Sequence, residues 1–204
     1  MRILIVYGTT DGQTAKVAAA MAGAMRSTEV DVDVANAEAP WDPDPADYGG
    51  VIVAASVHAG SYQRAVLRWV QRHHVALATR PAAFVSVCLA VVNRTPKVDA
   101  VIRETMQRFF AMTEWQPSET KVVAGALRYR QYNWLKRWMM RRIVAKHGGD
   151  TDTSRNYEYT DWRDLVEFAQ RFSGSIAPRK EDDHATPIPI DPGNPIRAYA
   201  RSPR

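Results

Sequence analysis

At 204 residues, with 46% hydrophobic content and a net charge of +5, the chain has apolar material for one α/β domain with a buried core, and a tail left over. Its single cysteine, Cys88, excludes a disulfide framework and a cysteine-rich metal site, so no metal is expected and a reducing compartment is the simplest context. The longest apolar run, Ala82 to Val92 broken by Ser86, is far short of the roughly twenty residues that span a bilayer, and the run before Gly8 is too short for a signal peptide. A cytoplasmic protein is therefore expected.

Taken in order, Arg2 to Tyr7 is a short branched apolar run that passes into Gly8-Thr9-Thr10-Asp11-Gly12-Gln13-Thr14 and then into an alanine-rich helical pattern, Ala15 to Met25. That order reads as strand, tight polar loop, helix. Such a loop presents backbone N–H groups and hydroxyls at a helix N-terminus, where the dipole favours an anion. Neither G-x-x-x-x-G-K-[ST] nor G-x-G-x-x-G is present, and no lysine falls in register. Three threonines and two glycines without a cation suit a single phosphate monoester, as in a mononucleotide such as FMN. An ordinary βα turn with polar residues is the competing reading. Asp11 would repel a phosphate, so it is expected to turn outward and accept from backbone donors of the loop.

Val30 to Val34 alternates strictly and predicts a half-exposed edge strand. A proline-rich loop through Pro40, Pro43 and Pro45 leads to Val51–Ala55, an apolar run of the kind covered on both faces. Ser56-Val57-His58-Ala59-Gly60-Ser61-Tyr62 then precedes a helix from about Arg64 to Ala76. In a doubly wound sheet this second loop lies beside the first, and its small residues admit a flat ring. His58 and Tyr62 are candidates for ring contact or proton movement, with solvent-exposed loop positions as the alternative. Ala82 to Leu89 predicts a fourth strand, and Ala90 to Lys97 a third loop over the same crevice. Cys88 reads as a buried small hydrophobe, with reactive thiol chemistry the lesser alternative. A helix from Val98 to Met112, a fifth strand from Lys121 to Leu127, and a last helix from Asp161 to Phe172 with Asp161 as N-cap complete the pattern. Strands alternating with helices at these lengths predict an α/β fold, a doubly wound five-stranded parallel sheet.

About thirty residues interrupt the regular fold before the last helix. Between Arg128 and His147 lie Arg128, Arg130, Lys136, Arg137, Arg141, Arg142 and Lys146 without one acidic residue, and they leave the rest of the chain at −2. Tyr129, Tyr132, Trp134 and Trp138 interleave with these cations, and Trp134 to Lys146 predicts a helix with a broad apolar arc. Arg142 and Lys146 intrude on that arc and would have to snorkel. Three readings stand: a peripheral membrane contact, a helix packed on its own domain or in a homo-oligomer, and a contact with an electronegative protein. Nucleic acid ranks last, since no base-reading motif accompanies the charge. The stretch 175–204 holds Pro178, Pro187, Pro189, Pro192, Pro195 and Pro203 among mixed charges, and predicts a disordered tail beyond a domain of residues 1–174.

The loop Thr9 to Thr14 is similar to the FMN phosphate loop of flavodoxins. Ala55-Ser56 with Gly60 and Tyr62, Ala124-Gly125-Ala126-Leu127-Arg128-Tyr129, Gly148-Gly149-Asp150-Thr151-Asp152-Thr153 and Tyr159-Thr160-Asp161-Trp162 resemble, more narrowly, the flavodoxin-like protoporphyrinogen IX dehydrogenases that donate electrons to quinone. The likeness runs from Met1 to about Phe172 and departs at His58, Cys88 and the short Val91-Val92-Asn93 loop. It implies a flavodoxin-like sheet of order 2-1-3-4-5 with a basic helical insertion at about 128–150. It also implies FMN phosphate on Thr9, Thr10, Asp11, Gly12, Gln13 and Thr14, and ring contacts at Ser56, Val57, His58, Ala59 and Gly60 and at Ser86, Val87, Cys88, Leu89 and Ala90. The implied activity is quinone-linked porphyrinogen oxidation in haem biosynthesis, with the flavin carrying the chemistry and the insertion touching the inner face of the cell membrane. The alternative is a soluble flavodoxin-type carrier between proteins, a role usually served by an acidic face.

Overall fold

The computed structural model describes residues 2–93, 95–146 and 150–176. Three runs of branched apolar residues make the centre of the sheet: β1 (Arg2–Gly8), β3 (Gly50–Ser56) and β4 (Ala82–Cys88), nearly all of whose residues are buried. A strand covered on both faces can be apolar at every position, which is why these three show no alternation. The alternating β2 (Asp31–Asn36) forms one edge and β5 (Glu119–Ala124) the other, and the five pair in parallel in the order β2-β1-β3-β4-β5. This is the order expected of a flavodoxin-like fold.

Because strand side chains alternate, each central strand feeds two separate cores. Ile3, Ile5, Ile52 and Val85 meet Val17 and Met21 of α1 (Gln13–Arg26) and Phe168 of α5 (Trp162–Ile176). Leu4, Val6, Val53 and Phe84 meet Val66 and Trp69 of α2 (Arg64–Ala78) and Phe109 of α3 (Pro96–Thr113). Asp161 caps α5 as expected, its Oδ1 accepting from the Asp164 N–H at 3.0 Å.

The predicted fifth strand, Lys121 to Leu127, is in fact two. The ladder with β4 ends at Cys88 opposite Ala124. Beyond Gly125, β6 (Ala126–Leu127) pairs antiparallel with β7 (Tyr157–Glu158). The apolar run is continuous, but its hydrogen-bonding partner changes at Gly125, whose carbonyl accepts from the Tyr159 N–H at 3.2 Å. The two short strands close the insertion at its base. Leu127, Tyr129, Tyr132 and Val144 form a third small core with Leu89, Tyr157 and Tyr159 packed against it. Val144 comes from α4 (Trp134–Lys146), the predicted basic helix. The proposed disordered tail lies, from residue 177 onward, outside the described residues.

Candidate functional site

The site is a cleft over the carboxyl ends of β1, β3 and β4, where the sheet order reverses. β1 brings Gly8 under α2 so closely that a Cβ there would lie 2.4 Å from Val66 Cγ2. A larger residue there would push against the Val66 side chain. The loop that follows is folded on itself: Thr9 Oγ1 accepts from the Gly12 N–H at 2.8 Å, and Gly12 takes φ 79°, a left-handed conformation suited to glycine. α1 then starts at Gln13 with no side-chain cap hydrogen bond. Its first N–H groups therefore face the cleft without an internal acceptor. Thr14, wholly buried at that terminus and lining the cleft, has a hydroxyl with no partner.

Asp11 reaches the insertion. Its carboxylate accepts from the Tyr132 hydroxyl of the insertion at 3.4 Å, whereas the Gly12 amide is taken by Thr9.

The second loop is tied to the first by Gln63. Its Nε2 donates to Thr10 Oγ1 at 3.2 Å and to Ser56 Oγ at 2.5 Å, while its Oε1 accepts from the Ser56 N–H at 3.2 Å. His58 and Ser61 exchange backbone hydrogen bonds of 2.8 and 3.1 Å across a tight turn, with Ala59 at φ 49° and Gly60 at φ 77°. This turn leaves His58 exposed on the cleft wall, beside Val57.

Tyr62 is a correction. Its ring lies in the core, edge-on to Phe84 and Phe109 at 5.1 and 5.2 Å, and its hydroxyl shares a 2.8 Å hydrogen bond with Ser86. Its hydroxyl is thus spent inside the core and its ring is not among the residues lining the cleft, and burial pushes its phenol far above the ordinary value. Ser86, spent on Tyr62 and wholly buried, leaves the ring contacts as well. Along β4 the alternation turns Val87 to the cleft and Cys88 to the opposite side. Burial raises the Cys88 thiol although the N–H groups of Ala90 and Val91 work to lower it, as suits a buried small hydrophobe rather than a reactive thiol. It lines an apolar groove of about 630 Å³ that leads from Val57 and Gly60 past Ala90 along Val98, Val101 and Ile102 of α3.

The insertion supplies the remaining wall through Gly125, Ala126 and Tyr132. Behind it, Gln13 Nε2 donates to Thr160 Oγ1 at 2.9 Å and Glu158 Oε1 at 3.2 Å, and Lys16 pairs with Glu158 at 3.0 Å. Arg128 and Arg137, assigned above to an external surface, face inward. Arg128 donates to Gln13 Oε1 at 3.3 Å, and Arg137 donates to the carbonyls of Tyr129 and Tyr132 at 3.0 and 3.1 Å. The outer side of α4 is bare, with Trp134, Leu135, Trp138 and Met139 exposed near Arg130, Arg141 and Arg142. The side chains of Lys136 and Lys146 lie outside the described residues.

Gln63, Tyr132, Glu158 and Arg128 were missing from the sequence-derived cofactor site. Gln63 had a weak signal, a polar residue just ahead of a helix. The other three reach the loop across more than a hundred residues of chain, and no local pattern marks such contacts. The donor set fits FMN: free helix N–H groups and the unpartnered Thr14 hydroxyl suit a phosphate, and Val57, Val87 and Leu89 give an apolar floor for a ring.

The flavodoxin domain family model matches residues 4–154. Among solved structures, oxidised flavodoxin from Bacillus cereus superposes with a TM-score of 0.53 at 15% identity, covering 87% of this chain and all 100% of that one. A short-chain flavodoxin associated with a PDU bacterial microcompartment gives 0.54 at 13% identity, covering 87% and 99%. Sheet order, cleft and phosphate loop thus define a flavodoxin-type protein. Along its sequence the chain is 35% identical over 176 residues to protoporphyrinogen IX dehydrogenase (quinone) of Escherichia coli, 85% of this chain and 95% of that protein. It is 32% identical over 182 residues to the enzyme of the same name from Leishmania major, 87% and 78% of the two chains. The chain belongs to the protoporphyrinogen IX dehydrogenase (quinone) family.

Proposed function

We propose that the chain is an FMN-dependent oxidoreductase that oxidises protoporphyrinogen IX, or a closely related porphyrinogen, and passes the electrons to a membrane quinone in haem biosynthesis. One observation carries the reading: the likeness to the Escherichia coli enzyme spans 95% of that protein, insertion included. The phosphate cradle with its unpartnered Thr14 hydroxyl supports the cofactor.

Bound FMN supplies an acceptor that takes electrons in pairs and can release them singly. Oxidation of a porphyrinogen to a porphyrin removes six hydrogens, so three passes reduce three quinones to quinols. The protein's own residues bind and orient. The loop Thr9 to Thr14 holds the phosphate, Gln63 keeps the first two loops in register, and Val57, Val87 and Leu89 keep water from the ring. The groove along α3 continues that apolar surface and offers room for a flat substrate beside the ring. With Tyr62 buried, His58 is the remaining titratable candidate for proton movement on the second loop.

Peripheral binding to the cytoplasmic face of the membrane through α4 completes the proposal. Trp134 is 79% exposed and Trp138 55%, and Arg142 lies 5.1 Å over the Trp138 ring, so aromatic and cationic groups share one surface. Each arginine near an anionic leaflet contributes about 1 kcal/mol. A soluble carrier has no use for such a surface. The test is anaerobic: FMN-loaded protein with protoporphyrinogen IX should develop porphyrin fluorescence only when quinone-containing vesicles are added. Fluorescence that never exceeds spontaneous oxidation ends the reading.

A further inference from the structure

The phosphate loop carries no cation of its own, but the fold brings one to it from the insertion. A Cβ built on Gly12, at the apex of the loop, would lie 3.2 Å from Arg128 Nη1 and 3.7 Å from Cζ. The guanidinium is thus in contact with the turn that opens α1. It is held there loosely, by neutral acceptors at long range: Gln13 Oε1 at 3.3 Å and Gln131 Oε1 at 3.5 Å. Among the described residues no carboxylate lies within ion-pair distance of it. Its backbone N–H bonds to the Tyr132 hydroxyl at 3.4 Å, and that hydroxyl reaches Asp11 in the loop.

We infer that Arg128 is the counter-charge of the flavin phosphate, so that the insertion, as well as the start of α1, distinguishes FMN from uncharged riboflavin. Among the described residues, the charges facing this point include Asp11, Glu158, Lys16 and Arg128. Lys16 is paired with Glu158 at 3.0 Å, so a phosphate of about −2 charge seated at Thr14 has in Arg128 a cation that, among the described residues, no carboxylate holds. A half-buried guanidinium presents a planar fork that matches phosphate oxygens and feels less solvent screening than a surface lysine. The inference rests on FMN being the cofactor.

The experiment titrates the full-length apoprotein with FMN and with riboflavin, following the quenching of flavin fluorescence, for the wild type, Arg128→Gln and Arg128→Lys. Arg128→Gln should weaken FMN about ten-fold or more and change riboflavin by less than about two-fold, with Arg128→Lys between. Raising the salt concentration should weaken FMN binding to the wild type and do so less in Arg128→Gln. Equal losses for both flavins would make Arg128 a structural residue and overturn the assignment, as would no loss for either. Should Arg128→Gln not fold, amide exchange on the wild type decides: FMN, and not riboflavin, should slow exchange at 126–132, and equal protection by both overturns it. A wild type that binds neither flavin overturns the cofactor reading and the assignment together, an outcome separable from the others.

Discussion

Thr14 shows how one side chain can report on an absent partner. Its hydroxyl is wholly buried and unpaired at the start of α1, a state that costs about 1–3 kcal/mol unless a ligand oxygen completes it. Thr14→Val should therefore leave the apoprotein as stable as the wild type or more so, while weakening FMN binding about ten-fold. Thermal melting of the apoprotein and a flavin fluorescence titration read the two effects, and a variant losing both together would mark Thr14 as merely structural. At this scale the residue types of the loop were legible, because threonines and glycines without a lysine at a strand-to-helix turn suit a single phosphate, an ordinary polar turn being the competing reading. The direction of each side chain was not. His58 and Tyr62 lie four positions apart in one loop, yet the turn at Ala59 and Gly60 leaves the first exposed and puts the second under Phe84. Two backbone angles decide that, and composition does not encode them.

Among the elements, the pair β6 and β7 joins the insertion to the domain beside the cleft, and no pattern in the sequence marks it because two-residue strands carry no periodicity. Its consequence is Glu158, which the pairing sets beside Lys16 and Gln13. Burial works to raise the Glu158 carboxyl, but hydrogen bonds from Lys16 and Gln13 and the charges of Lys16 and Arg128 outweigh it and hold the pKa below the ordinary value. A lowered folded pKa means the stabilisation is fully present above the unfolded value of about 4.3 and is lost as pH falls through the folded one. Between about pH 5 and pH 3, the urea midpoint of the wild type should fall more steeply than that of Glu158→Gln. Parallel slopes would show that the carboxylate contributes nothing to joining insertion and domain. The longer elements were legible to within a few residues, since helical and strand periods persist through them. Where β5 stops was not, because an apolar run looks the same whichever neighbour it bonds.

For the molecule as a whole, the basic segment divides by function in a way that charge counting missed. Arg128 ties the insertion to Gln13 of the domain and Arg137 braces the insertion internally on the Tyr129 and Tyr132 carbonyls, while Trp134, Trp138, Arg141 and Arg142 remain outside. Trp134→Ala combined with Trp138→Ala should abolish co-sedimentation with anionic vesicles and leave FMN affinity unchanged, since neither ring packs in the cores. Unaltered sedimentation would remove α4 from the membrane contact. The two-faced parallel sheet and the phosphate-type loop were determined by sequence alone, because hydrophobic period and turn chemistry are properties of neighbouring residues; the order of the strands came with the resemblance to flavodoxins. Which cations face inward, which aromatic leaves the cleft, and how the insertion closes it were decided only by tertiary structure. Those contacts join residues far apart along the chain, and their geometry exists once both cores have packed.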